Sequence, residues 1–528
     1  MSELIIEAQR EKVALELLSN IVKESPFAGK VFMAGGGVRD EIMGRDVKDI
    51  DLVVAMPDGG IEFAKWITQK LGVYHPETNP IIFPRFGTAK FNLRGVKVGG
   101  IDLSDLDIEA VMTRGEEYTP GSRKPTVAYA DLKKDAERRD FTVNDLYHDL
   151  ASGKILDPTG KGIADIKAGI IRTPTDPDIT FKDDPLRMLR AIRFVTKYNW
   201  QMPYSLVKAL IKNAPMLQHI STERIQEEFN KMLMTDNPDK ALKMLALTGL
   251  LKQFCPELDA LRGIKQNKYH KDDVFGHTLE VVKNTPPDLK ARIAAVFHDI
   301  GKPLTLSVDP ETQSIHFYDH EDVGAKMTQE ILHRLKYPND FTDSVAKIVE
   351  HHMRLKTVGD KGEKASDKGL RKFAARLGDD LDSAFALMHA DNLSHAEGHK
   401  MPDQIPALKQ RITTLAQSAP VKPKLPINGN DLMQTFNLQP GPHLKVMLKA
   451  VEDAWFEDPT MSREKALAVA KDELDKSQGM GSNPESVMNM RVMNPFTGNS
   501  ILVKTALEYE PGHPARQEAE NILKQKKQ

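Results

Sequence analysis

Residues 31–54, VFMAGGGVRDEIMGRDVKDIDLVV, predict more about this chain than any other stretch. They predict a buried strand over 31–34, a glycine turn at 35–37, a short helix, and a second strand that carries Asp49 and Asp51. Because glycine has no Cβ atom, a phosphate chain can approach the backbone amides that open the helix. Side chains two positions apart on a strand project from one face, so the two carboxylates lie together. Such a pair repels unless cations lie between its members, and Mg²⁺ prefers oxygen ligands together with substrate phosphates.

Three strings occur together in this stretch: Gly35-Gly36-x-Val38-Arg39-Asp40, Gly44-Arg45 and Asp49-Ile50-Asp51. A glycine run alone would indicate only a turn followed by surface aspartates. The combination resembles the head-domain motif of the class II tRNA nucleotidyltransferase and poly(A) polymerase family, a branch of the polymerase-β-like nucleotidyltransferases. The resemblance implies that Asp49 and Asp51 are catalytic and bind Mg²⁺. It also implies nucleotide binding by the glycines and arginines of the motif: Gly35, Gly36, Gly37 (often alanine in the family), Arg39 and Arg45.

The composition is that of an ordinary globular protein. The 528 residues suggest three or four domains, with 40% hydrophobic and 28% charged residues. A formal charge of −2 means that any nucleic-acid site must be a local basic face. The single cysteine, Cys255, excludes an internal disulfide framework and fits a reducing compartment. Residues 1–24 mix acidic and apolar residues as an amphipathic helix does, and no apolar run reaches membrane-spanning length, so we expect a cytoplasmic protein.

A third acidic residue commonly lies on a later strand in the family that this chain resembles. Residues 107–112, DIEAVM, are predicted to form that strand. Glu109 is the candidate for the third catalytic carboxylate, and Asp107 is its competitor.

The next informative string is RRDFTVN, residues 138–144. Two arginines can meet phosphate oxygens with forked donors, and an aspartate can accept a hydrogen bond from a ribose hydroxyl. A charged loop beside a strand would explain RRD alone, but the whole string resembles the family's second motif, RRDFT-x-N. The resemblance implies that the sugar and triphosphate are held by four residues: Arg138, Arg139, Asp140 and Asn144. Phe141 and Val143 are predicted to face the core, and Asp145 departs from the small residue usually found next.

Residues 183–194, DDPLRMLRAIRF, predict a helix with a charged face. Asp184, Arg187, Arg190 and Arg193 recur every three residues, which is compatible with a solvated salt-bridge ladder. An aspartate can also accept a hydrogen bond from the N4 amine of cytosine while an arginine donates to the rest of the Watson–Crick edge. The family has an acid-acid-x-x-Arg string here that serves as a protein template for the incoming base. This implies base recognition by Asp184 and Arg187, with Arg190 and Arg193 as further nucleotide-binding candidates.

A shorter string, Ser221-x-Glu223-Arg224-Ile225, resembles the end of the family's neck region. A capped amphipathic helix with Glu227 and Glu228 in solvent explains it equally well.

The second half of the chain contains a series of histidines and aspartates in this order: His277, His298-Asp299, His320, His351-His352 and Asp391. Such ligands on separate helices can surround a metal ion and leave a position open for water. The order resembles that of the HD phosphohydrolase superfamily. The resemblance implies a minimal metal set of His277, His298, Asp299 and Asp391, with His320, His351 and His352 adding a second metal or holding phosphate. The implied cofactor is a divalent metal such as Mg²⁺, Mn²⁺ or Ni²⁺, and the implied chemistry is attack of water on a phosphate ester.

The predicted fold class is α+β. A polymerase-β-like head with a mixed sheet and helices precedes a helical neck and body, an all-helical HD domain and a small appendix. The predicted domains are the head (1–150), the neck and body with the template helix (151–262), the HD domain (263–400), a helical tail that could contact tRNA (401–478), and a flexible linker with an appendix of unknown role (479–528).

The two resemblances imply an Mg²⁺-dependent enzyme that adds CCA to the 3′ end of tRNA from CTP and ATP. Hydrolysis of 2′,3′-cyclic phosphates or 2′-phosphates, described for similar tRNA nucleotidyltransferases with an HD domain, is the implied second activity. A monomer or homodimer without a membrane partner is expected. Because the head motifs are shared, a poly(A) polymerase or an enzyme that adds only A or only C is the alternative. A phosphohydrolase with an RNA-binding head is the second alternative, and the two metal sets disfavour a pure scaffold.

Overall fold

The computed structural model of the chain describes residues 3–47, 50–117, 126–266, 272–418, 424–479, 491–493 and 500–502, with residues 516, 517 and 520. Asp49 and most of the predicted 479–528 segment therefore lie outside the described residues. The chain divides into two compact units, Met1–Phe254 and Cys255–Gln528.

The strands of the first unit are short and lie within its first 156 residues. They are β1 (Val31–Ala34), β2 (Asp51–Val54), β3 (Ile81–Phe83), β4 (Thr88–Asn92), β5 (Lys97–Val98), β6 (Ile101–Asp102), β7 (Asp107–Met112), β8 (Arg114–Glu117), β9 (Thr126–Tyr129), β10 (Tyr147–Asp149) and β11 (Ile155–Leu156).

Seven of these strands form one mixed sheet in the described part of the head, in the order β11-β10-β1-β2-β7-β4-β3. Strands β2 and β7 are parallel, and β1 pairs antiparallel with both β10 and β2. Along β7, Ile108, Ala110 and Met112 are buried while Asp107 and Glu109 are exposed, as expected for a strand with one face on a core. The alternation therefore places the acidic residues of this strand on the open face of the sheet.

The helices of the first unit flank this sheet and then continue as a helical neck. They are α1 (Glu3–Lys23), α2 (Gly36–Ile42), α3 (Gly59–Lys70), α4 (Leu132–Glu137), α5 (Gly162–Ala168), α6 (Pro177–Asp183), α7 (Leu186–Tyr198), α8 (Tyr204–Asn213), α9 (Thr222–Leu233), α10 (Pro238–Leu247) and α11 (Leu251–Phe254).

Helix α7 has clear start and stop residues. The carboxylate of Asp184 accepts a hydrogen bond from the Leu186 backbone amide at 3.1 Å, and Asn199 ends the helix with φ 56°. Met188, Leu189 and Ile192 are fully buried, so the helix packs on the core through one face and presents its arginines on the other.

The second unit is mainly helical. Its helices are α12 (Pro256–Asp259), α13 (Val274–Asn284), α14 (Leu289–Phe297), α15 (Lys302–Thr305), α16 (His320–Arg334), α17 (Asn339–His351), α18 (Asp367–Leu377), α19 (Leu381–Leu393), α20 (Gln404–Ser418), α21 (Gly429–Phe436), α22 (Pro442–Trp455) and α23 (Arg463–Gly479). Among the described residues, two antiparallel strand pairs accompany them: the hairpin of β12 (Leu306–Val308) with β13 (Ile315–Phe317), and the pair of β14 (Arg491–Met493) with β15 (Ser500–Leu502). The hairpin lies within the predicted HD domain and is an addition to the expected helices.

Helices α21–α23 share a small hydrophobic core of their own, centred on the buried Trp455 with Leu432, Met447 and Val451. Across the described ranges, no helix combines the length and apolarity that crossing a bilayer requires.

Candidate functional site

Two carboxylates of the head lie side by side on neighbouring strands. The parallel register pairs Asp51 of β2 with Glu109 of β7, and both residues are exposed. Asp107 lies on the same face, but its carboxylate is 2.8 Å from Nζ of Lys90 on β4. The register therefore pairs Glu109, the predicted candidate, and not its competitor Asp107 with Asp51. Asp49, the other predicted catalytic aspartate, lies outside the described residues.

The glycine turn lies between β1 and α2, next to arginines of both motifs. Gly35 has φ 74°, a conformation that L side chains rarely adopt. A Cβ atom at Gly35 would lie 3.6 Å from Nη1 of Arg139, and one at Gly36 would lie 3.3 Å from Nη2 of Arg39. Gly37 belongs to the first turn of α2. The turn therefore brings bare backbone close to two guanidinium groups, an arrangement suited to phosphate.

A chain of hydrogen bonds joins the two predicted motifs to helix α7. Arg39 Nη1 donates to Asn144 Oδ1 at 2.7 Å, and Asn144 Nδ2 donates to Asp140 Oδ1 at 3.0 Å. Arg190 Nε donates to Asp140 Oδ2 at 2.8 Å. Burial alone would raise the pKa of Asp140, but the Arg190 charge and the hydrogen bonds hold it below its usual value. Asp140, predicted to bind ribose, thus has both oxygens bound by protein groups.

Both arginines of the RRD string are anchored by Asp135 on α4, which the sequence did not single out. Asp135 is fully buried, and its oxygens lie 2.7 Å from Nη2 of Arg138 and 3.0 Å from Nη2 of Arg139. The Tyr147 hydroxyl donates to the same carboxylate at 2.7 Å. Although burial opposes ionisation, the two guanidinium charges lower the pKa of Asp135. The spacing of three and four residues along one helical turn was the available signal.

Asp145 follows this string and lies in the same buried cluster. It is fully buried, and within the described ranges neither carboxylate oxygen has a hydrogen-bond partner. Burial raises its pKa well above the ordinary value, and the neighbouring Asp140 and Asp135 add to the effect against the opposing charge of Arg139. Phe141 and Val143 are fully buried, as predicted.

The four predicted members of the α7 charged face have different surroundings. Arg187 donates to the backbone carbonyls of Arg138 at 2.6 Å and Thr180 at 3.3 Å. Asp184 pairs with Arg224 at 2.8 Å in a partly exposed ion pair. These contacts link α7 to other elements rather than forming a ladder along the helix.

Arg193 belongs to a buried ion pair with Glu228 of α9. Its Nε lies 2.6 Å from Glu228 Oε2, and Arg190 Nη1 lies 3.7 Å from Oε1. The expectation that Glu228 is in solvent is therefore wrong, since only 3% of it is exposed, whereas Glu227 is exposed. Arg193 and Arg190 are thus tied to buried carboxylates, which favours positioning over direct nucleotide contact.

Positive groups surround the ring of Tyr198 at the end of α7. The guanidinium carbons of Arg39 and Arg45 lie 5.0 and 4.9 Å from the ring centroid, and Lys197 Nζ lies 5.0 Å from it. Burial and the neighbouring Arg39 charge lower the pKa of Lys197. Arg45 and Lys197 are exposed, so this cluster presents positive charge to solvent next to the glycine motif.

The second unit brings six predicted metal ligands into two groups. The ligand atoms of His277, His298 and Asp391 lie within 4.8 Å of one another, and so do those of Asp299, His320 and His352. Asp299 connects the groups, because its Oδ2 lies 3.1 Å from His298 Nε2 and its Oδ1 lies 3.4 Å from His320 Nε2.

Three of the histidines are oriented by backbone carbonyls. Nδ1 of His298, His320 and His352 is hydrogen-bonded to the carbonyl three residues earlier, at 2.8, 2.8 and 2.6 Å. A proton on Nδ1 leaves the Nε2 lone pair facing the cluster, which is the arrangement of metal-ligating histidines. Nε2 of His352 is buried without a hydrogen-bond partner in the described chain, and burial together with the nearby His320 and His298 charges lowers its pKa to about 3. The carbonyl-oriented imidazoles and the carboxylates grouped with them are ligand types that fit a divalent metal.

His351 lies outside both groups. It is buried and its pKa is lowered to about 4 by burial and by the charges of Arg376 and Arg354. The structure thus places His352, but not its neighbour, at the cluster.

Two lysines and a histidine complete the cluster and were not predicted. Lys302 Nζ lies 2.7 Å from Asp299 Oδ2, and Lys356 Nζ lies 2.7 Å from Asp391 Oδ2. His395 stacks on His277 with ring centroids 6.1 Å apart. Burial would raise the pKa of both aspartates, but the charges of these lysines and of nearby histidines lower it well below the usual value. Lys302 lies three residues after Asp299, and His395 lies four residues after Asp391; these two spacings were the available signals in the sequence.

The cluster opens into a cavity of about 640 Å³. Its walls carry His277, Asp299, His320, His352, Asp391 and residues of the β13 strand. The volume lies in the range of about 300–1,000 Å³ that is usual for sites of small organic ligands.

Three parts of the chain match known family models. Residues 31–172 match the Poly A polymerase head domain, residues 201–262 match the probable RNA and SrmB-binding site of polymerase A, and residues 274–395 match the HD domain. The A-adding tRNA nucleotidyltransferase of Deinococcus radiodurans is 30% identical over 339 residues, which cover 61% of this chain and 75% of that protein. The chain belongs to the tRNA nucleotidyltransferase family.

A second relative of this tRNA nucleotidyltransferase, the CC-adding tRNA nucleotidyltransferase of Thermus thermophilus, is 29% identical over 448 residues, or 83% of this chain and 92% of the relative. The solved Bacillus stearothermophilus CCA-adding enzyme in complex with CTP has the same fold. It superposes with a TM-score of 0.62 at 22% identity and covers 90% of this chain and 100% of its own. The α+β fold class, with a mixed-sheet head and a helical HD domain, is therefore confirmed.

Proposed function

We propose that this tRNA nucleotidyltransferase adds CCA to the 3′ end of tRNA, using CTP and ATP. The observation that carries the proposal is the pairing of Asp51 with Glu109 on the exposed sheet face of a head whose glycine turn lies against Arg139. The tRNA 3′-hydroxyl would attack the α-phosphate of the nucleotide, and pyrophosphate would leave. Because the single cysteine is unpaired, we also expect a cytoplasmic protein.

Asp51 and Glu109 on this face offer oxygen ligands suited to Mg²⁺, and the predicted Asp49 would be a further ligand. When bound, Mg²⁺ supplies positive charge that stabilises the attacking and leaving oxygens of the displacement. The chain's own contribution is to hold the triphosphate. Arg139, fixed by Asp135, and the amides of the glycine turn would bind its oxygens.

Base selection would fall to Asp184 and Arg187. Arg187 has its guanidinium tied to two backbone carbonyls, which fixes its position before a nucleotide binds. Asp184 lies two residues before α7 and accepts hydrogen bonds from the more exposed Arg224. A partly exposed ion pair can open to offer an acceptor to the amine of cytosine or adenine.

The Arg190–Asp140–Asn144–Arg39 chain would act by positioning. It ties α7 to the glycine motif, so the groups that recognise the base and those that hold the phosphates keep a fixed distance. Exposed Arg45 and Lys197 beside Tyr198 would bind the RNA backbone.

One assay tests the nucleotides added. The full-length protein is incubated with tRNA that ends before the CCA sequence, with labelled CTP and ATP separately and together, and the product ends are sequenced. We expect CC from CTP alone and CCA from both. Because the two relatives described above are an A-adding and a CC-adding enzyme, addition of A only or of CC only is the alternative. A run of A residues from ATP alone would indicate a poly(A) polymerase and would contradict the proposal.

The HD domain carries a second proposed activity, hydrolysis of 2′,3′-cyclic phosphates or 2′-phosphates. The support is the set of carbonyl-oriented histidines around Asp299 and Asp391. A divalent metal such as Mg²⁺, Mn²⁺ or Ni²⁺ would supply Lewis acidity there. Lys302 and Lys356 neutralise the two buried aspartates, so a negatively charged phosphate can approach the cluster.

The metal dependence of this second activity is directly measurable. Protein treated with EDTA and dialysed is assayed for release of 2′- or 3′-monophosphate from 2′,3′-cyclic AMP, before and after addition of Mg²⁺, Mn²⁺ or Ni²⁺. We expect hydrolysis only with metal. Absence of hydrolysis and of stoichiometric metal binding under all three conditions would contradict the HD proposal and leave nucleotide addition untouched.

A further inference from the structure

A β-hairpin interrupts the HD domain between two of its metal-binding strings. Strands β12 and β13 follow Lys302 and precede His320, so the hairpin is connected at both ends to the cluster. It is exposed for its size: Leu306 and Val308 are 48% and 49% accessible, and Tyr318 is 68% accessible. Exposed apolar and aromatic residues concentrated next to a cavity usually mark a binding surface.

Two aromatic rings of this hairpin form a stack. His316 lies on β13, and Tyr318 directly follows the last residue of that strand. Their rings are nearly parallel, with an interplanar angle of 8° and centroids 5.2 Å apart. Both residues line the 640 Å³ cavity that contains Asp299, His320 and Asp391. Because one face of Tyr318 rests on His316, its large exposed area leaves ring surface for a further planar group.

The position of the stack is coupled to the metal cluster through the backbone. The carbonyl of Phe317, between the two rings, accepts the hydrogen bond from Nδ1 of His320 at 2.8 Å. Nζ of Lys302 lies over the Phe317 ring, 5.3 Å from the ring centroid, and the same Nζ is paired with the carboxylate of Asp299. A tight turn at Asp319, with φ 58°, leads from Tyr318 to His320. The hairpin is thus held by the same residues that face the cluster.

We propose that the His316–Tyr318 stack is a nucleobase platform, which binds the base of a nucleotide whose phosphate lies at the HD cluster. This inference rests on the proposed hydrolase function and specifies its substrate as a nucleotide rather than a simple phosphate ester. A phosphate group alone would fill a small part of the 640 Å³ cavity, and because both the cluster and the stack line this cavity, it has room for a base and ribose as well. Every base has a π-face, so the platform accepts different bases and selects for the presence of a base.

The test compares substrates with and without a base. Hydrolysis of 2′,3′-cyclic AMP and 2′,3′-cyclic CMP is compared with that of glycerol 1,2-cyclic phosphate for the wild type, Tyr318→Ala and Tyr318→Phe, all full-length and loaded with Mn²⁺. Since base–aromatic stacking is worth about 1–3 kcal/mol, Tyr318→Ala should raise KM for both nucleotides by about 5- to 150-fold. It should leave KM for the base-free substrate unchanged, and Tyr318→Phe should behave as the wild type.

A second hairpin variant, Val308→Ser, controls for loss of apolar surface, because Val308 has similar exposure but does not line the cavity. It should leave all three KM values unchanged. The platform would be overturned if Tyr318→Ala raised KM for the base-free substrate as much as for the nucleotides, or if it left KM for the nucleotides unchanged.

A binding measurement separates this inference from the hydrolase proposal. The Kd of adenosine 2′-monophosphate for the Mn²⁺-loaded protein is measured by calorimetry for the wild type and Tyr318→Ala. A Kd that is about 5- to 150-fold higher for Tyr318→Ala supports the platform, whether or not the protein hydrolyses cyclic phosphates. Absence of hydrolysis alone would contradict only the proposed hydrolase activity. Equal Kd values for the two proteins would overturn the platform.

Discussion

In the head, Asp51 and Glu109 project from an exposed sheet face, whereas in the HD domain Asp299 and Asp391 are buried among histidines and lysines. The head carboxylates are brought together by strand register, and Arg138 and Arg139 of the RRD string are held by Asp135. The HD ligands are brought together by helix packing and oriented by carbonyls of their own chain segments.

This difference follows the substrates that the two sites are proposed to accept. An open face can admit the end of a large RNA together with a triphosphate, and its charge balance depends on the bound nucleotide. In the buried HD cluster, lysines neutralise the aspartates, so the ligand atoms are held in place before a substrate binds. A phosphate group would reach them through the cavity. The two sites should therefore respond independently to substitution.

The strongest test of this independence is Asp51→Asn, which removes one carboxylate charge of the head and keeps its size. We expect nucleotide incorporation to fall by at least about 10²–10³-fold, because charge stabilisation at a displacement centre is lost. Hydrolysis by the HD domain should be unchanged. Incorporation of labelled CMP and AMP and hydrolysis of 2′,3′-cyclic AMP are measured on the same preparations.

Two further substitutions on β7 distinguish the third carboxylate. Glu109→Gln should cause a loss like that of Asp51→Asn, whereas Asp107→Asn should change incorporation by less than about twofold, since it removes only a surface ion pair with Lys90. The reverse pattern would assign the role to Asp107.

The converse test is Asp299→Asn, which changes the residue that connects the two ligand groups. We expect hydrolysis and metal content to fall by more than about 100-fold with no effect on nucleotide addition. His351→Gln is the matched control, because His351 lies outside both groups, and it should retain metal. If His351→Gln loses metal as Asp299→Asn does, the assignment of ligands is wrong.

These two sites also differ in how much of them the sequence predicts. The structure brings six of the seven predicted HD ligands into two groups, and histidine and aspartate in that order are typical of few other structures. His351 and His352 are adjacent, however, and successive helical residues differ by about 100° in direction, so only packing decides which one faces the cluster. For the proposed catalytic face of the head, the motifs left Glu109 and Asp107 as competitors, and which of them pairs with Asp51 depends on the register between distant strands.

Buried charge was the least predictable feature. Glu228 looked like a solvent-facing residue of an amphipathic helix, but its partner Arg193 is 35 residues away. Asp135 and Asp145 lie close to the RRD string, yet their protonation depends on how deeply the folded chain buries them. Local sequence patterns carry no information on such desolvation.

A fourth prediction concerns the stability of the head and neck. Glu228→Gln leaves the Arg193 guanidinium without its buried counter-ion, so we expect the free energy of unfolding of this region to fall by about 3–5 kcal/mol. Glu227→Gln, the exposed neighbour, should change it by less than about 0.5 kcal/mol. The unfolding free energies of both variants are measured in urea, with hydrogen exchange of peptides from α7 and α9 as the readout. Equal effects of the two variants would show that burial of the pair has no energetic importance.

The smallest expected effect on stability comes from Asp145. Its pKa is raised, whereas the pKa values of the buried Asp299 and Asp391 of the HD domain are lowered. Because the pKa of Asp145 is raised, the folded state binds more protons than the unfolded state once the pH exceeds the ordinary value near 4. Stability of the head therefore falls as pH rises from about 4 toward the raised pKa. Asp145→Asn removes this term, so the variant should gain about 1–3 kcal/mol relative to the wild type between pH 5 and pH 8.

The measurement is the difference in urea unfolding between variant and wild type at pH 5 and at pH 8, followed by hydrogen exchange of peptides from residues 126–156. Comparing the two pH values cancels any constant cost of the buried amide. Asp135→Asn is the opposite case, because a lowered pKa gives stability that is complete above pH 4, so its difference should not change between pH 5 and pH 8. A flat response of Asp145→Asn would mean that the Asp145 carboxyl ionises normally and that Arg139 compensates its burial in full.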